Sequence, residues 1–209
     1  KSEQDTWSFV WRGCVEVPEK YYLNDIALKK DGTFFVSLMY LRDITMTKSR
    51  ITALFKKDSG VMREWNKDSF IEIPNSEGSG PNGITFNETT NNLFISYNQG
   101  DQVVKFDLSD NKKLQTFKVE SPDNIYINKD SVWITSLDFQ PNDAGDCIER
   151  PACSLPFSIY EIDRETFVLK NKNSFNKTVF GLPTIALPIE NVIIMGSFHS
   201  DRIGYFTQK

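Results

Sequence analysis

The chain has 209 residues, of which 39% are apolar and 13% aromatic, so it is long enough to bury a substantial core. Its net charge of −4 argues against nucleic acid as its main partner. No apolar run approaches the ~20 residues that a membrane helix needs. We therefore expect a single domain over residues 1–209 that has no transmembrane segment and binds no nucleic acid.

A unit of two short apolar strands recurs four times along the chain. Each copy opens with a pair of residues, mostly polar, that precedes an isoleucine. The predicted first strands are 24–28, 82–86, 123–127 and 183–187, and the second strands are 34–37, 93–96, 132–135 and 192–195. Repeats of short strands indicate a propeller, a solenoid or an array. In a propeller the first strand of every blade lines one central channel, so residues in register there would meet.

The second half of the repeat supplies the outer strands. The predicted third strands are 51–55, 103–107, 159–163 and 202–206, and the fourth strands are 61–65, 114–119 and 167–170. A spare strand at 9–17 would complete the last copy and close the ring, which would remove exposed edges. The pattern predicts an all-β propeller of about four blades with almost no helix.

Two segments interrupt the repeat, at 41–50 and 138–156, and each follows a second strand. We expect either walls around a site or plain surface loops. Cys147 and Cys153 flank a polar stretch and are either a disulfide, which we favour, or two unpaired loop cysteines. A disulfide implies an oxidising compartment, and hence a secreted or periplasmic protein. Cys14 is predicted to be a small buried hydrophobe.

The candidate chemistry lies in the polar residues that open each copy. The sequence has no Gly-rich phosphate loop, nucleophile elbow or Cys/His zinc spacing. We interpret the single histidine, His199, as a polar loop residue without a catalytic role. The oxygen-bearing residues that share one position in three copies are Asn24, Asp25, Asn82, Asp123 and Asn124. Any one alone is typical of a turn or cap, but together they favour a hard cation, Ca²⁺ before Mg²⁺ or Mn²⁺.

These segments resemble a known family. Residues 81–84, 123–125 and 23–26 resemble the metal-binding strands of the paraoxonase/arylesterase and gluconolactonase-like (senescence marker protein type) calcium-dependent propellers, and residues 196–202 resemble the last blade of that superfamily. The resemblance implies a six-bladed β-propeller with Ca²⁺ in its tunnel and hydrolysis of lactones, aryl esters or organophosphates. It assigns the catalytic metal to Asn24, Asn82, Asp123 and Asn124. It assigns a second, structural calcium to Asp25, and makes Asp123 a ligand and a base.

The resemblance also implies parts that have no counterpart in this sequence. The family has about two further blades upstream, which carry a Glu ligand and the paraoxonase histidine pair. We therefore expect upstream sequence or a companion chain to complete the ring, and the whole protein to be a calcium-dependent lactonase or esterase. The alternatives are a non-catalytic, calcium-stabilised binding scaffold and a metal-free propeller of the strictosidine-synthase type.

Overall fold

The structure is a computed structural model that describes residues 8–138, 147 and 153–208. These residues form four antiparallel sheets, numbered as blades 1 to 4 in chain order, and one helix, α1 (Met46–Leu54). Blade 1 contains β1 (Tyr21–Leu28), β2 (Phe34–Leu41), β3 (Val61–Trp65) and β4 (Phe70–Glu72). Blade 2 contains β5 (Pro81–Asn87), β6 (Asn92–Tyr97), β7 (Gln102–Asp107) and β8 (Lys112–Lys118). Blade 3 contains β9 (Pro122–Asn128), β10 (Ser131–Leu137), β11 (Phe157–Asp163) and β12 (Leu169–Phe175). Blade 4 contains β13 (Pro183–Ile189), β14 (Val192–Ser197) and β15 (Gly204–Thr207).

The blades follow one another in chain order through their inner strands. β1 packs against β5, β5 against β9, and β9 against β13. The repeat isoleucines, Ile26, Ile84, Ile125 and Ile185, lie on these four inner strands. This arrangement confirms the predicted all-β propeller architecture and places the start of each repeat near the axis.

Apolar side chains between neighbouring blades form the core. Phe35, Met62 and Tyr97 are buried between blades 1 and 2, and Phe94 and Ile134 are buried between blades 2 and 3. The next layer, between blades 3 and 4, contains Trp133, Phe157, Ala186 and Ile193. Burial of one such large side chain contributes about 1.5–3 kcal/mol. The inter-blade layers therefore hold the inner strands, and with them the repeat polar residues, in fixed register.

The predicted third strand of blade 1, at 51–55, is wrong. This segment lies in or just after α1, and the third and fourth strands are β3 and β4. Thr45 caps the helix by accepting a hydrogen bond from Lys48 N at 3.3 Å, and Lys56 follows with a φ of 49°. Five of the nine residues of α1, namely Met, Lys, Arg, Ala and Leu, are good helix formers, and together with the cap they favour helix. Within the described residues no helix is long and apolar enough to cross a membrane.

The predicted closing strand at 9–17 is also wrong. This segment forms no strand, and Phe9 and Trp11 are 100% and 80% exposed. Cys14, predicted to be buried, is exposed because the segment that carries it packs into no sheet. Among the described residues β15 is the outer strand of a three-stranded blade.

The fourth strand of blade 3 begins later than the predicted 167–170, at Leu169. Phe167 instead occupies a turn with a φ of 60° and donates from its backbone N–H to Asp163 O at 2.9 Å. Its ring is buried beside Phe94, with centroids 6.0 Å apart. Phe167, the apolar residue that suggested a strand, therefore lies in a turn and packs its side chain into the core.

Candidate functional site

Each of the first three inner strands bulges at its polar pair. At each bulge two residues of the inner strand oppose a single residue of the second strand. The opposed sets are Asn24 and Asp25 against Ser37, Asn82 and Gly83 against Ser96, and Asp123 and Asn124 against Thr135. A bulge leaves backbone groups outside the ladder and redirects side chains, and bulges are common beside active sites. The repeat thus places three equivalent irregularities around one axis.

The bulges lie on the same face of the blades as α1 and as the two ends of the second insertion, most of which is outside the described residues. Each bulge is near the start of an inner strand, which pairs with the end of the antiparallel second strand. α1 follows β2, and the second insertion begins after β10 at Asp138, whose N–H donates to Pro156 O at 3.1 Å. α1 and the ends of the second insertion are therefore on the face that carries the polar pairs.

Asp123 is the buried carboxylate of the site. Only 8% of its surface is exposed, and its pKa is raised to about 7. Burial is the main cause, and the nearby negative charge of Asp25 adds to it. Hydrogen bonds from the Asn82 side chain and the Asn124 backbone lower the pKa in part. No basic side chain of the described residues contributes to these interactions, so among these residues nothing balances the Asp123 charge and a proton or a cation would do so.

Asn82 provides the second notable oxygen. The residue is 6% exposed, its amide group lies against Asp123, and its Oδ1 is buried without a hydrogen-bond partner. An unpartnered buried acceptor is costly, and native structures contain few of them. An amide oxygen beside a carboxylate fits a hard cation. Within the described residues no three His, Cys, Asp or Glu side chains cluster, so the donors would include amide oxygens.

Gly83 explains why β5 and β9 approach so closely. A Cβ at Gly83 would lie 2.4 Å from Asn124 Cα and 2.5 Å from Asp123 O. Such distances are well inside van der Waals contact, so only glycine fits between the two backbones. The close approach brings the bulge of β5 against the bulge of β9 and sets Asn82 beside Asp123.

The other predicted site residues lie on the same bulges but make different contacts. Asp25 is half-buried, and its Oδ1 and Oδ2 accept from Ile26 N and Ile84 N, both at 2.8 Å. Burial raises its pKa, and these two bonds partly lower it. Asn24 is exposed, with its Nδ2 3.8 Å from Met39 Sδ, and no hydrogen bond joins it to Asn82 or Asp123 within the described residues. Asn124 is half-buried and gives its backbone N–H to Asp123.

Three buried hydroxyls were missed in the sequence analysis. Ser37, Ser96 and Thr135 are fully buried, and each faces one bulge. Ser37 Oγ accepts from Asp25 N at 2.9 Å, whereas the hydroxyls of Ser96 and Thr135 have no partner in the described part of the chain. The sequence signal is their shared place, after Phe-Val, Phe-Ile and Trp-Ile in the second strands.

A cavity of about 270 Å³ is lined by residues of all four inner strands. Its lining includes Asp25, Ile26, Ile84, Asn124, Ile125 and Ile185. The four strands therefore face a common space, as the repeat predicts. Isoleucine side chains line that space together with the acidic side chain of Asp25 and the amide side chain of Asn124.

The disulfide between Cys147 and Cys153 confirms the predicted pairing, with Cα atoms 5.0 Å apart. Both cysteines pack with Leu137 and Leu182 in a small apolar cluster. His199 lies in the loop after β14, and its Nε2 is 3.1 Å from Cys147 O. The histidine thus joins the insertion to blade 4, in keeping with its interpretation as a loop residue.

Comparison with known proteins shows the fold alone. No protein-family model matches the sequence, and no curated protein matches it. Among solved structures the chain is similar to hydrazine synthase of Kuenenia stuttgartiensis, at 13% identity and a TM-score of 0.56, over 96% of this chain and 49% of that one. It is also similar to a luciferin-regenerating enzyme, at 12% identity and a TM-score of 0.53, over 85% of this chain and 54% of that one. The chain therefore spans about half the length of these β-propeller-like structures.

Proposed function

We propose that this chain carries most of the metal site of a calcium-dependent hydrolase of lactones or aryl esters. The observation that carries the proposal is the pair formed by Asp123 and Asn82. Within the part of the chain that the structure describes, a buried carboxylate without a basic partner lies beside a buried amide oxygen without a hydrogen bond. Together they offer charge and a free oxygen to a cation, and carboxylate with amide oxygens suits Ca²⁺ better than transition metals. Mg²⁺ and Mn²⁺ are the alternative cations.

In this proposal Asn24, Asn82, Asp123 and Asn124 hold the cation. A bound cation would polarise the lactone or ester carbonyl and stabilise the oxyanion. Asp123 has a second role as proton acceptor in this proposal, as the family resemblance implies. A bound cation would lower its pKa below the value of about 7 in the metal-free site, and so keep it ionised at neutral pH. Asn82 holds this carboxylate through its amide group. The cavity beside Asp25 and Asn124, which has isoleucine side chains in its lining, would receive the acyl chain.

The proposal includes a completed ring. Because the chain spans about half of the structures that it matches, we propose that upstream sequence or a companion chain adds blades and supplies the Glu ligand that the family resemblance implies. We also propose that the protein is secreted or periplasmic, and the disulfide, which is typical of oxidising compartments, supports this.

A second candidate is a calcium-stabilised binding scaffold without catalysis. The bond from Ile84 N to Asp25 Oδ2 favours it, because this bond links two blades at the bulges. A cation at this place would add to the same linkage between blades. Turnover of substrate separates this candidate from the hydrolase.

The test uses the full-length protein and a panel of γ- and δ-lactones and aryl esters, assayed with calcium and with chelator. We expect turnover that needs calcium and is abolished in Asp123→Asn, while Asn82→Ala mainly weakens calcium binding. Asp163→Asn serves as a control for the loss of a carboxylate, since Asp163 ends β11, the third strand of blade 3, and lies outside the bulges. Activity that survives both chelation and Asp123→Asn contradicts the mechanism. Calcium-dependent stabilisation without turnover supports the scaffold, and no response to calcium supports a metal-free propeller.

A further inference from the structure

The carboxylate of Asp25 links two blades through backbone bonds. Its Oδ1 accepts from Ile26 N in its own strand, and its Oδ2 accepts from Ile84 N in the inner strand of blade 2, both at 2.8 Å. The family resemblance assigns this residue to a second cation. In the structure each of its oxygens instead already has one backbone donor.

The bulge in β5 makes the Ile84 amide available to Asp25. Because Asn82 and Gly83 together oppose only Ser96, the ladder between β5 and β6 shifts at this point. Ile84 is the first residue after the shift, and its N–H reaches across to blade 1. A backbone donor buried without a partner would be costly, so the carboxylate satisfies a need that the bulge creates.

β5 is held from both sides by these contacts. On one side Asp25 binds the Ile84 amide, and on the other Gly83 packs directly on the backbone of Asn124. Asn82 lies between these two points and only two residues before Ile84. A shift of β5 away from Asp25 would therefore move Asn82 relative to Asp123.

Ser37 holds Asp25 in turn. Its fully buried Oγ accepts from Asp25 N at 2.9 Å, in the place of a ladder bond that the bulge in β1 removes. Ser37, Asp25 and Ile84 thus form a chain of hydrogen bonds from β2 through β1 to β5. A chain of this kind fixes the orientation of the groups that it ends on.

We propose that Asp25 is a positioning residue that ties blade 2 to blade 1 and sets Asn82 against Asp123, rather than a ligand of a second cation. The predicted effect of Asp25 on calcium binding rests on the proposed function. The tie itself rests on the contacts of Ile84 and Ser37 alone. One cation per chain is the stoichiometry that follows from it.

The test compares Asp25→Asn with Asp163→Asn in the full-length protein. The side chain of Asn has one oxygen, which accepts, and one NH₂ group, which donates. It therefore cannot accept hydrogen bonds from both Ile26 N and Ile84 N, as the two carboxylate oxygens do. Asp163 Oδ1 also accepts two backbone N–H groups, from Glu165 at 3.0 Å and Thr166 at 2.8 Å, but in a turn on the outer part of blade 3. Because a single oxygen accepts these bonds, Asn can keep them at this position, and the variant controls for the loss of a carboxylate charge alone.

The measurements are calorimetric titration with Ca²⁺ and hydrogen exchange of the peptide 82–86 followed by mass spectrometry. We expect one calcium per chain in the wild type, and about tenfold weaker binding in Asp25→Asn, as is usual when a partner of a ligand is lost. The 82–86 peptide should also exchange faster. Asp163→Asn should leave calcium affinity and this peptide unchanged. Ser37→Ala, a milder change that keeps the carboxylate, should shift both readouts in the same direction as Asp25→Asn.

Two calciums in the wild type and one in Asp25→Asn would overturn the inference in favour of a second cation. Unchanged calcium affinity and unchanged exchange in Asp25→Asn and Ser37→Ala would overturn it as well. A wild type that binds no calcium overturns the proposed function instead. In that event faster exchange of 82–86 in Asp25→Asn still supports the tie between the blades, and unchanged exchange refutes it.

Discussion

Replacement of Asp123 by Asn should make the metal-free protein more stable at neutral pH. The Asp123 pKa is raised from 3.8 to about 7 in the folded wild type. Between these two pH values the folded state therefore keeps the proton on Asp123, whereas the unfolded chain has lost it. The stability of the wild type therefore falls as the pH rises from about 4 to about 7, and is constant above that. At about 1.4 kcal/mol per pH unit, the loss is on the order of 4 kcal/mol at neutral pH. Asn is uncharged, so the variant avoids it.

The assay is urea unfolding with chelator at pH values from about 4 to 8.5, the range that brackets the shifted pKa. The difference in unfolding free energy between Asp123→Asn and the wild type cancels the contributions of carboxylates that do not interact with Asp123. It retains the interaction with Asp25, whose negative charge raises the Asp123 pKa. This difference should grow with pH by a few kcal/mol and level off above about pH 7. Calcium should reverse the ranking, because only the wild type gains from binding it.

Asp163→Asn is the control, since hydrogen bonds from Thr166 lower the Asp163 pKa. Its stabilising effect is present above the unfolded pKa and is lost only as the pH falls through the lower folded value. The control should therefore change the pH dependence in acid and leave the range from about 4 to 7 unaltered. If unfolding free energy plotted against pH runs parallel for Asp123→Asn and the wild type across this range, the Asp123 pKa is not raised. The conclusion that its charge is buried and unbalanced would then be wrong.

Three further changes test the surroundings of the site. Gly83→Ala should destabilise the protein by several kcal/mol in thermal unfolding, since its Cβ would lie 2.4 Å from Asn124 Cα, and an unchanged melting temperature would contradict the close packing of β5 and β9. Reduction of the bond between Cys147 and Cys153, or its replacement by serines, should cost about 2 kcal/mol of stability, and equal melting with and without reductant would show that the bond is not formed in solution. His199→Ala should leave kcat for lactones nearly unchanged, and a large loss would assign the histidine a chemical role.

The inner half of every blade follows from the sequence because local pattern and tertiary position agree there. A polar pair, an isoleucine and a turn recur at fixed places, and the four isoleucines lie on the inner strands. The outer half is less predictable. Residues 51–55 have the composition of a strand and equally that of a helix, and the cap at Thr45 decides in favour of α1. Residues 9–17 are apolar enough for a strand, but a strand also needs a partner.

The candidate site was predicted as a set of residue types and not as a set of contacts. The repeat identifies Asn82, Asp123 and Asp25, because polar residues at equivalent places are visible in the chain. It does not show that each pair forms a bulge, since a bulge depends on the residues in the opposite strand. For the same reason it does not show that Asp25 binds a backbone amide of another blade, or that Ser37 supports it.

The hydrogen bond from Asp138 N to Pro156 O has a consequence for how the protein could change. The chain leaves β10 and enters β11 at neighbouring points, with Leu137 directly opposite Phe157. Blade 3 is therefore insensitive to the length of the connection between them, and a short hairpin turn could replace it. Leu182 would then need a polar substitute, because the cysteines that cover it would be gone. The connection between β10 and β11 could thus be replaced as one unit to change selectivity on this face, while the propeller and its bulges stay the same.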